Sequence, residues 1–278
     1  MTLGTIVITG ANGQVGRQVL TNLQGKCQTS IALIRSNVEL PATKIITNWT
    51  SSSEAKEAIF QADTIVHLAG SLKPQNGNYQ AANIKTTETL ISHLNPNHNQ
   101  KIIFLSYVGV SPTSSNPYLA TKATCENLLQ NTGCRVTIFR CSHIIGSPEK
   151  PGLTAERLIS NQGKPVAILG SGKQQITPIY LGDVVNAIIT AIEQDHSGIF
   201  DLVGLESMTM DDLVKLVNHN QSVKISHLPS FIARLLPLII KDLPLGLIDV
   251  MLNDSIGNSQ KFGDTFQTKL TSLKEIWR

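Results

Sequence analysis

The sequence predicts an α/β fold, a doubly wound and largely parallel sheet with a smaller interleaved C-terminal region. Short β-branched runs alternate with helical stretches through the first 146 residues. The runs lack strict apolar–polar alternation, as strands covered on both faces do. A glycine-spaced turn joins the first strand to the first helix.

The elements follow in order. Thr5–Thr9 (TIVIT) predicts a strand and Gln14–Leu23 a helix. Ser30–Arg35 predicts a second strand and Lys44–Thr47 a weak third. Ser53–Phe60 reads as a helix, with Ser51–Ser53 offering N-terminal caps. Thr64–Leu68 is a fourth strand, Tyr79–Leu94 a long helix and Lys101–Ser106 a fifth strand. Ser111–Pro117 reads as a polar loop, followed by a helix over about Tyr118–Gln130 and a sixth strand at Arg135–Arg140.

After Gly146 the texture changes. Ser147–Gly152 is rich in Pro and Gly, and shorter elements follow at irregular spacing. Val166–Leu169 and Thr177–Tyr180 suggest strand fragments, and Val184–Ile192 a helix. Phe200–Val203 suggests a strand, and Met210–Val217 a helix begun by Thr209. The division expected is 1–146 for the first domain, with segments near 176–203 returning to it, and 147–278 as a substrate-binding or lid region.

Bulk properties exclude several classes. The 278 residues are 41% hydrophobic and 15% charged, with a net charge of +3 and a mean hydropathy of +0.03. No run of five or more Lys or Arg occurs, so a nucleic-acid backbone binder is not expected. Cys27, Cys125, Cys134 and Cys141 form no Cys-x-x-Cys pair, which suits reduced thiols in a cytoplasmic protein and no metal site. The first residues lack a basic region and a cleavage site, so no signal peptide is expected. The apolar stretch Phe231–Leu252 is interrupted by Arg234, Pro237, Lys241, Asp242, Pro244 and Asp249, which disfavours a transmembrane span. It leaves open an apolar pocket wall, a helical lid, or peripheral membrane contact.

The turn reads Thr9-Gly10-Ala11-Asn12-Gly13-Gln14-Val15-Gly16. Glycine lets backbone amides approach a pyrophosphate without a Cβ in the way, and the helix N-terminus adds about half a positive charge. That context points to a Rossmann-type dinucleotide site. Cofactor choice is read after the second strand, where an acidic residue would accept from the ribose hydroxyls. Arg35 and Ser36 stand there instead, a fork and a donor suited to a 2′-phosphate. NADP(H) is therefore expected over NAD(H), which stays open.

Tyr118 and Lys122 are one helical turn apart on one face. An ammonium beside a phenol stabilises its phenolate, so the pair suits proton transfer. His67, ending a strand, is expected to make a structural hydrogen bond, and Asp183 to act as a cap or inter-domain tie.

In this order the residues resemble the short-chain dehydrogenase/reductase superfamily, in its extended or atypical branch (NAD-dependent epimerase/dehydratase-like). The matching segments are the glycine turn, Asp63–Gly70, Asn83–Thr87, Ser106, Tyr118 with Lys122, Arg140–Gly146 and Pro178–Val184. The likeness fades beyond about residue 217. It implies Tyr118 as acid–base, Lys122 as its electrostatic partner and ribose holder, Ser106 as hydroxyl donor, and Asn83 as a helix-kinking holder of a relay water. It places Leu68, Ala69 and Gly70 under the adenosine ribose, Asn48 near the adenine, and Ser142 and His143 near the carboxamide. Hydride would pass between the nicotinamide and a carbinol or carbonyl carbon.

Three departures stand out. Tyr107 falls where the resemblance expects a second hydroxyl residue, Cys141 where proline is common, and Asn48 where aspartate is common. The function expected is an NADP(H)-dependent oxidoreductase. A non-catalytic dinucleotide-sensing or assembly protein of the same fold is the alternative, and a nucleotide-sugar epimerase or dehydratase a second. Arg157, Lys164 and Lys173 are the cations that could clamp a diphosphate. The resemblance also suggests a monomer, or a homodimer paired through the two long helices.

Overall fold

The computed structural model describes residues 2–219, 222–240 and 243–278; Lys241 and Asp242, read above as interruptions of the apolar stretch, lie outside them. The strands are β1 Leu3–Thr9, β2 Cys27–Leu33, β3 Lys44–Ile46, β4 Thr64–His67, β5 Lys101–Tyr107 and β6 Arg135–Cys141. Seven more follow: β7 Ile144–Ile145, β8 Val166–Leu169, β9 Gln175–Ile176, β10 Ile179–Tyr180, β11 Gly198–Leu202, β12 Met208–Thr209 and β13 Ile225–Leu228. The main sheet has seven strands in the order β11-β6-β5-β4-β1-β2-β3, every pairing parallel. The order in which strands are added reverses between β1 and β4: β2 and β3 follow on one side of β1, and β4, β5 and β6 on the other. Ligands bind at such a switch point, beyond the carboxyl ends of the strands.

The helices are α1 Gln14–Leu23, α2 Ser53–Gln61, α3 Thr86–Ser92, α4 Pro117–Gln130, α5 Gly152–Leu158 and α6 Leu181–Glu193. The remainder are α7 Met210–Val217, α8 Ser230–Ala233, α9 Leu245–Leu252, α10 Gln260–Phe266 and α11 Leu273–Ile276.

Two-fold side-chain alternation explains why both sheet faces are apolar. Ile6, Ile8, Val66, Ile103 and Phe139 point to one face, against Leu20 of α1, Val184 and Ile188 of α6, and Phe262 of α10. Val7, Ile65, Ile102, Phe104 and Ile138 point to the other, against Ile59 of α2, Leu90 of α3 and Leu129 of α4. Each such side chain, fully buried, contributes about 1.5–3 kcal/mol. A third cluster holds the later segments together, with Ile168, Met210, Leu213 and Trp277 at its centre. The Trp277 indole donates to the Gly146 carbonyl at 2.9 Å, fastening the last helix beneath β7.

The expected strands and helices of the first half are present, with instructive shifts. β2 runs from Cys27 to Leu33 rather than Ser30 to Arg35, so Arg35 lies beyond the strand, exposed. The long helix is not uniform: Gln80–Lys85 forms a π-helical segment before α3. Asn83 sits inside that segment. Its side-chain oxygen accepts from the Ser71 amide at 2.9 Å, and its amide donates to Thr121 Oγ1 at 3.0 Å. Tertiary bonds on both sides hold a widened turn that a smooth helical pattern does not show.

In the second half, only Ile179–Tyr180 (β10) of the expected Thr177–Tyr180 strand is extended, with Thr177 and Pro178 separating it from β9, and α5, α9, α10 and α11 go beyond the elements the sequence predicts. β11 lies in the main sheet beside β6. Asp183 accepts from the Thr271 amide and hydroxyl at 2.6 and 2.9 Å, tying α6 to the C-terminal segment. The four cysteines are free thiols. Among the described residues, no helix is long and apolar enough to cross a membrane.

Candidate active site

A cleft of about 710 Å³ lies over the carboxyl ends of β1, β4, β5 and β6. One end is built by the glycine turn. Gly10 has φ +65°, and a Cβ there would stand 2.8 Å from the Ala69 amide nitrogen and the Leu68 carbonyl carbon. Only glycine lets the chain leave β1 this close to the end of β4. At Gly16 a Cβ would stand 2.7 Å from Ala11 Cα, so this glycine sets the packing of α1 on the turn. Gly13 is the N-cap of α1 and provides no side-chain cap. The first-turn amides therefore keep their donors for an anion, reinforced by the helix dipole. Gly10, Gly13, Gln14, Val15 and Gly16 line the cleft. Ala11 is fully buried beneath the turn, and the Asn12 carbonyl accepts from Arg17 Nε at 3.1 Å.

Leu68 and Gly70 line the next stretch of the cleft. Thr9 Oγ1 accepts from the Ala69 amide at 3.1 Å and lies 2.7 Å from His67 Nδ1. Thr87 Oγ1 donates to the Asn83 carbonyl at 2.9 Å and lies 3.0 Å from His67 Nε2. The Thr87 proton is committed, so His67 Nε2 donates to it and Nδ1 accepts from Thr9. His67 is thus a neutral structural link between β1, β4 and α3, its pKa pushed down to about 3 by burial.

At the centre stand Tyr118 and Lys122. Pro117 occupies the first turn of α4, and Asn116 caps it by accepting from the Tyr118 and Leu119 amides at 2.9 and 3.3 Å. The Asn116 amide also donates to the Gly246 carbonyl at 2.9 Å, binding α9 to the start of α4. Lys122 Nζ donates to the Leu105 carbonyl at 2.6 Å and lies 3.9 Å from the centre of the Phe104 ring. Burial pulls its pKa down to about 8, partly offset by Glu126.

The Tyr118 phenol behaves opposite to the sequence expectation. Burial drives its pKa above the ordinary tyrosine value, and Tyr107 and Tyr79 reinforce the rise. Both rings pack on it, with centroids 5.8 and 6.0 Å away. Burial among these rings favours the uncharged form, so this tyrosine is a neutral phenol.

Ser106 and Tyr107 both reach the cleft, and neither hydroxyl has a hydrogen bond of acceptable geometry. A buried hydroxyl left without a partner costs about 1–3 kcal/mol, a cost that a bound ligand oxygen would remove. Burial raises the Tyr107 pKa to about 12. Ser142 and His143 lie across the cleft from α4, both bonded to Ser255: Ser142 Oγ at 2.8 Å and His143 Nδ1 at 3.1 Å from its hydroxyl. Burial pulls the His143 pKa down to about 4. Ser255 lies more than one hundred residues downstream, and nothing in its local sequence signals this partnership. Burial raises the Cys125 and Cys141 thiols, which stay protonated at neutral pH.

Other expected residues lie elsewhere. Arg35 and Ser36 are exposed past the end of β2, and Asn48, in the left-handed conformation with φ 49°, donates from its backbone to the Arg35 carbonyl at 3.4 Å. None of the three lines the cleft. Asn83 lies behind Gly70: a Cβ on that glycine would meet its side-chain oxygen at 3.0 Å. Of the three diphosphate-clamp candidates, only Arg157 lines the cleft; Lys173 lines a separate surface pocket.

The later segments close the far end with residues that sequence reasoning did not assign. Gln14 Oε1 accepts from the Leu153 amide at 3.0 Å, joining the glycine turn to α5. Leu236, Leu243, Leu247 and Met251 form a wall facing Leu158, Ile168 and Met210. The apolar stretch noted in the sequence is therefore a cover with its inner side on the cleft, while Phe231, Leu238 and Ile239 on it are exposed. Among the described residues, no cluster of three or more His, Cys, Asp or Glu could hold a metal ion.

The residues fit a dinucleotide. The α1 amides are uncapped, side chains at Gly10 and Gly16 would collide with the turn, and Ser106, which lines the cleft, has a buried hydroxyl without a hydrogen-bond partner. Comparison with known proteins agrees. The chain is 26% identical over 196 residues to a UDP-2-acetamido-2,6-beta-L-arabino-hexul-4-ose reductase of Pseudomonas aeruginosa, covering 68% of this chain and 49% of that protein. It is 24% identical to the mitochondrial NADH dehydrogenase 1 alpha subcomplex subunit 9 of Arabidopsis thaliana, covering 58% of this chain and 41% of that one. The chain spans about half the length of the first curated relatives it matches. In fold it resembles the UDP-glucuronic acid 4-epimerase of Bacillus cereus in complex with UDP-glucuronic acid and NAD, with a TM-score of 0.75 at 18% identity over 98% of this chain and 96% of that one. The family profile described as NAD dependent epimerase/dehydratase matches residues 6–202, and the chain belongs to that family.

Proposed function

We propose that this protein is an NAD(P)-dependent oxidoreductase acting at a carbonyl or carbinol carbon, with Tyr118 as the proton-transferring group. The observation that carries this reading is that Tyr118 and Lys122, one turn apart on α4, both line a cleft whose other end is an uncapped helix N-terminus. A bound nicotinamide supplies or accepts the hydride. The chain's own groups handle the oxygen. In the reducing direction the phenol gives its proton to the oxygen as negative charge develops there, because a developing alkoxide is the stronger base. Lys122, charged below a pKa of about 8, then stabilises the phenolate left behind. Ser106 donates to the same oxygen and holds it in line. The Tyr79–Tyr107–Tyr118 packing, with Leu236, Leu243, Leu247 and Met251, keeps water from the reacting atoms.

Within this reading, Arg35 and Ser36 select NADP(H) by pairing with a 2′-phosphate beyond β2, while NAD(H) remains the alternative. Leu68, Ala69 and Gly70 pass under the ribose, Asn48 flanks the adenine, and Ser142 with His143 holds the carboxamide. Asn83 maintains the π-segment behind Gly70 and serves the proton relay. Residues 147–278, apart from the segment returning to the main sheet, form the substrate side.

Two observations favour other readings enough to test. The relatives named above include a subunit of a mitochondrial NADH dehydrogenase, which supports a dinucleotide-binding role without turnover. The structural neighbours act on nucleotide sugars, which supports an epimerase or dehydratase. Calorimetric titration with NADPH and NADH, followed by a carbonyl-compound screen at 340 nm, separates them. Turnover that disappears in Tyr118→Phe upholds the proposal; tight cofactor binding with no turnover on any carbonyl compound or nucleotide sugar refutes it.

A further inference from the structure

Lys122 is buried, and its Nζ donates to a carbonyl, that of Leu105, rather than to a carboxylate. The titratable groups around it come from three elements: Tyr118, Cys125 and Glu126 on α4, His67 on β4 and Cys141 on β6. Burial keeps the phenol, both thiols and the imidazole uncharged at neutral pH. Glu126 is the exception.

Glu126 stands four residues after Lys122, one helical turn along the same face of α4. It is 2% exposed, and Arg140 of β6 forks onto it, with Nε at 3.0 Å and Nη2 at 2.5 Å from its two oxygens. A carboxylate at this depth is costly to keep charged, and the fork is what holds its charge. The sheet in turn places Arg140. It is the register partner of Ser106 on β5 and of Asp201 on β11, so the three side chains share the face that α4 covers. Asp201 acts on the guanidinium from that side. Charges of alternating sign therefore run inward from the cleft, in the order Lys122, Glu126, Arg140, Asp201.

A buried ion pair that only joined α4 to β6 could be replaced by packed hydrocarbon with little loss. Hydrocarbon does join them further along the same face, where Leu129 of α4 meets Ile138 of β6. The ion pair stands one turn from Lys122. Resting on the reading that Lys122 supports proton transfer at Tyr118, we propose that Glu126 is a positioning residue for that step: its carboxylate, fixed by Arg140, keeps the buried Lys122 ammonium charged. Without it, burial favours the neutral amine, which cannot stabilise a phenolate.

The test reads Lys122 directly and needs no substrate. The full chain is prepared with lysine isotopically labelled at Cε and Nζ, and the Lys122 signal, identified by its loss in Lys122→Arg, is titrated by NMR. The parent midpoint is expected at about 8. In Glu126→Gln it should fall by about one unit, so that the charged fraction at pH 8 drops about fivefold. Because that variant strands the Arg140 charge and can unfold, a second one carries Glu126→Gln together with Arg140→Gln. It removes both charges, lets the two amides bond each other, and should show the same fall. Glu126→Asp keeps the carboxylate and should hold the midpoint near the parent value. A midpoint that does not move in the folded double variant overturns the inference, as does a fall in Glu126→Asp as large as in Glu126→Gln.

The oxidoreductase reading is judged apart from this, by turnover of the parent in the carbonyl-compound screen. Turnover whose basic limb moves down with the lysine midpoint supports both. A moved midpoint in a chain without turnover refutes the reaction and leaves the charge coupling standing; turnover with an unmoved midpoint does the reverse.

Discussion

The Lys122 ammonium donates to the Leu105 carbonyl at 2.6 Å, so the last turn of strand β5 holds the cation from behind. In the mechanism proposed above, that bond lets the end of β5 position the cation for proton transfer at Tyr118. It also sets a pH limit. Burial lowers the lysine pKa to about 8, so the charged form is present below that value and is lost as pH rises through it. We expect kcat/KM to fall above about pH 8. Lys122→Arg, which stays charged, should move the limb to higher pH even where the maximum is reduced. A profile flat to pH 10 in the parent protein would show that the charge is not used.

The same lysine affects stability with a defined sign. Between about pH 8 and its unfolded value near 10.5, the unfolded chain holds the proton and the folded chain does not. Unfolding therefore becomes less favourable as pH rises through this window, by up to about 1.4 kcal/mol per pH unit from this one group. Urea denaturation of Lys122→Met should lack that increment. An identical pH dependence in both proteins would refute it.

Tyr118→Phe removes the proton and little else, since the ring keeps its packing on Tyr79 and Tyr107. Turnover should fall by about 10²–10⁴. Calorimetry should return the parent's dinucleotide affinity within about threefold. A large loss of affinity would instead mean that the phenol acts mainly in binding.

Arg35 stands exposed past β2 with its backbone carbonyl bonded to Asn48. If it pairs with a 2′-phosphate, Arg35→Ala should weaken NADPH by about 10- to 100-fold, the worth of a charge-assisted hydrogen bond. NADH affinity should not change. Equal weakening of both cofactors, or of neither, would remove the stated basis for NADP(H) preference.

Acid should destabilise the fold through its buried neutral histidines. His67 and His143 have pKa values lowered to about 3 and about 4, against 6.5 when unfolded. The unfolded chain therefore takes up protons below 6.5 while the folded chain does not. Stability is lost as pH falls from 6.5 toward 4, by up to about 1.4 kcal/mol per unit for each histidine. His67→Gln can retain one of the two threonine bonds and should flatten the acid limb measured by thermal melts between pH 4.5 and 7. An unchanged limb would assign acid sensitivity elsewhere.

Local rules carried much of this molecule. β1, the glycine turn and α1 follow from a β-branched run, three glycines and a helical period, all between Leu3 and Leu23. The Tyr118/Lys122 pair follows from i,i+4 spacing on a helix. His67 was readable as structural because a histidine ending a buried strand needs partners.

The sequence alone thus determined the sheet, the likeness to a dinucleotide fold and the positions of the central residues. Only tertiary structure decided their environment. Tyr118 is a strongly neutral phenol because Tyr79, 39 residues upstream, and Tyr107 enclose it, and no i,i+4 rule contains that packing. The π-segment at Asn83 depends on bonds to Ser71 and Thr121, and the Ser142–His143 side of the cleft depends on Ser255. The apolar wall comes from a stretch whose sequence favours a helical lid over a membrane contact but does not say what the lid covers. Burial and long-range hydrogen bonding depend on which segments meet in space, and one-dimensional spacing does not encode that beyond a helical turn or a strand.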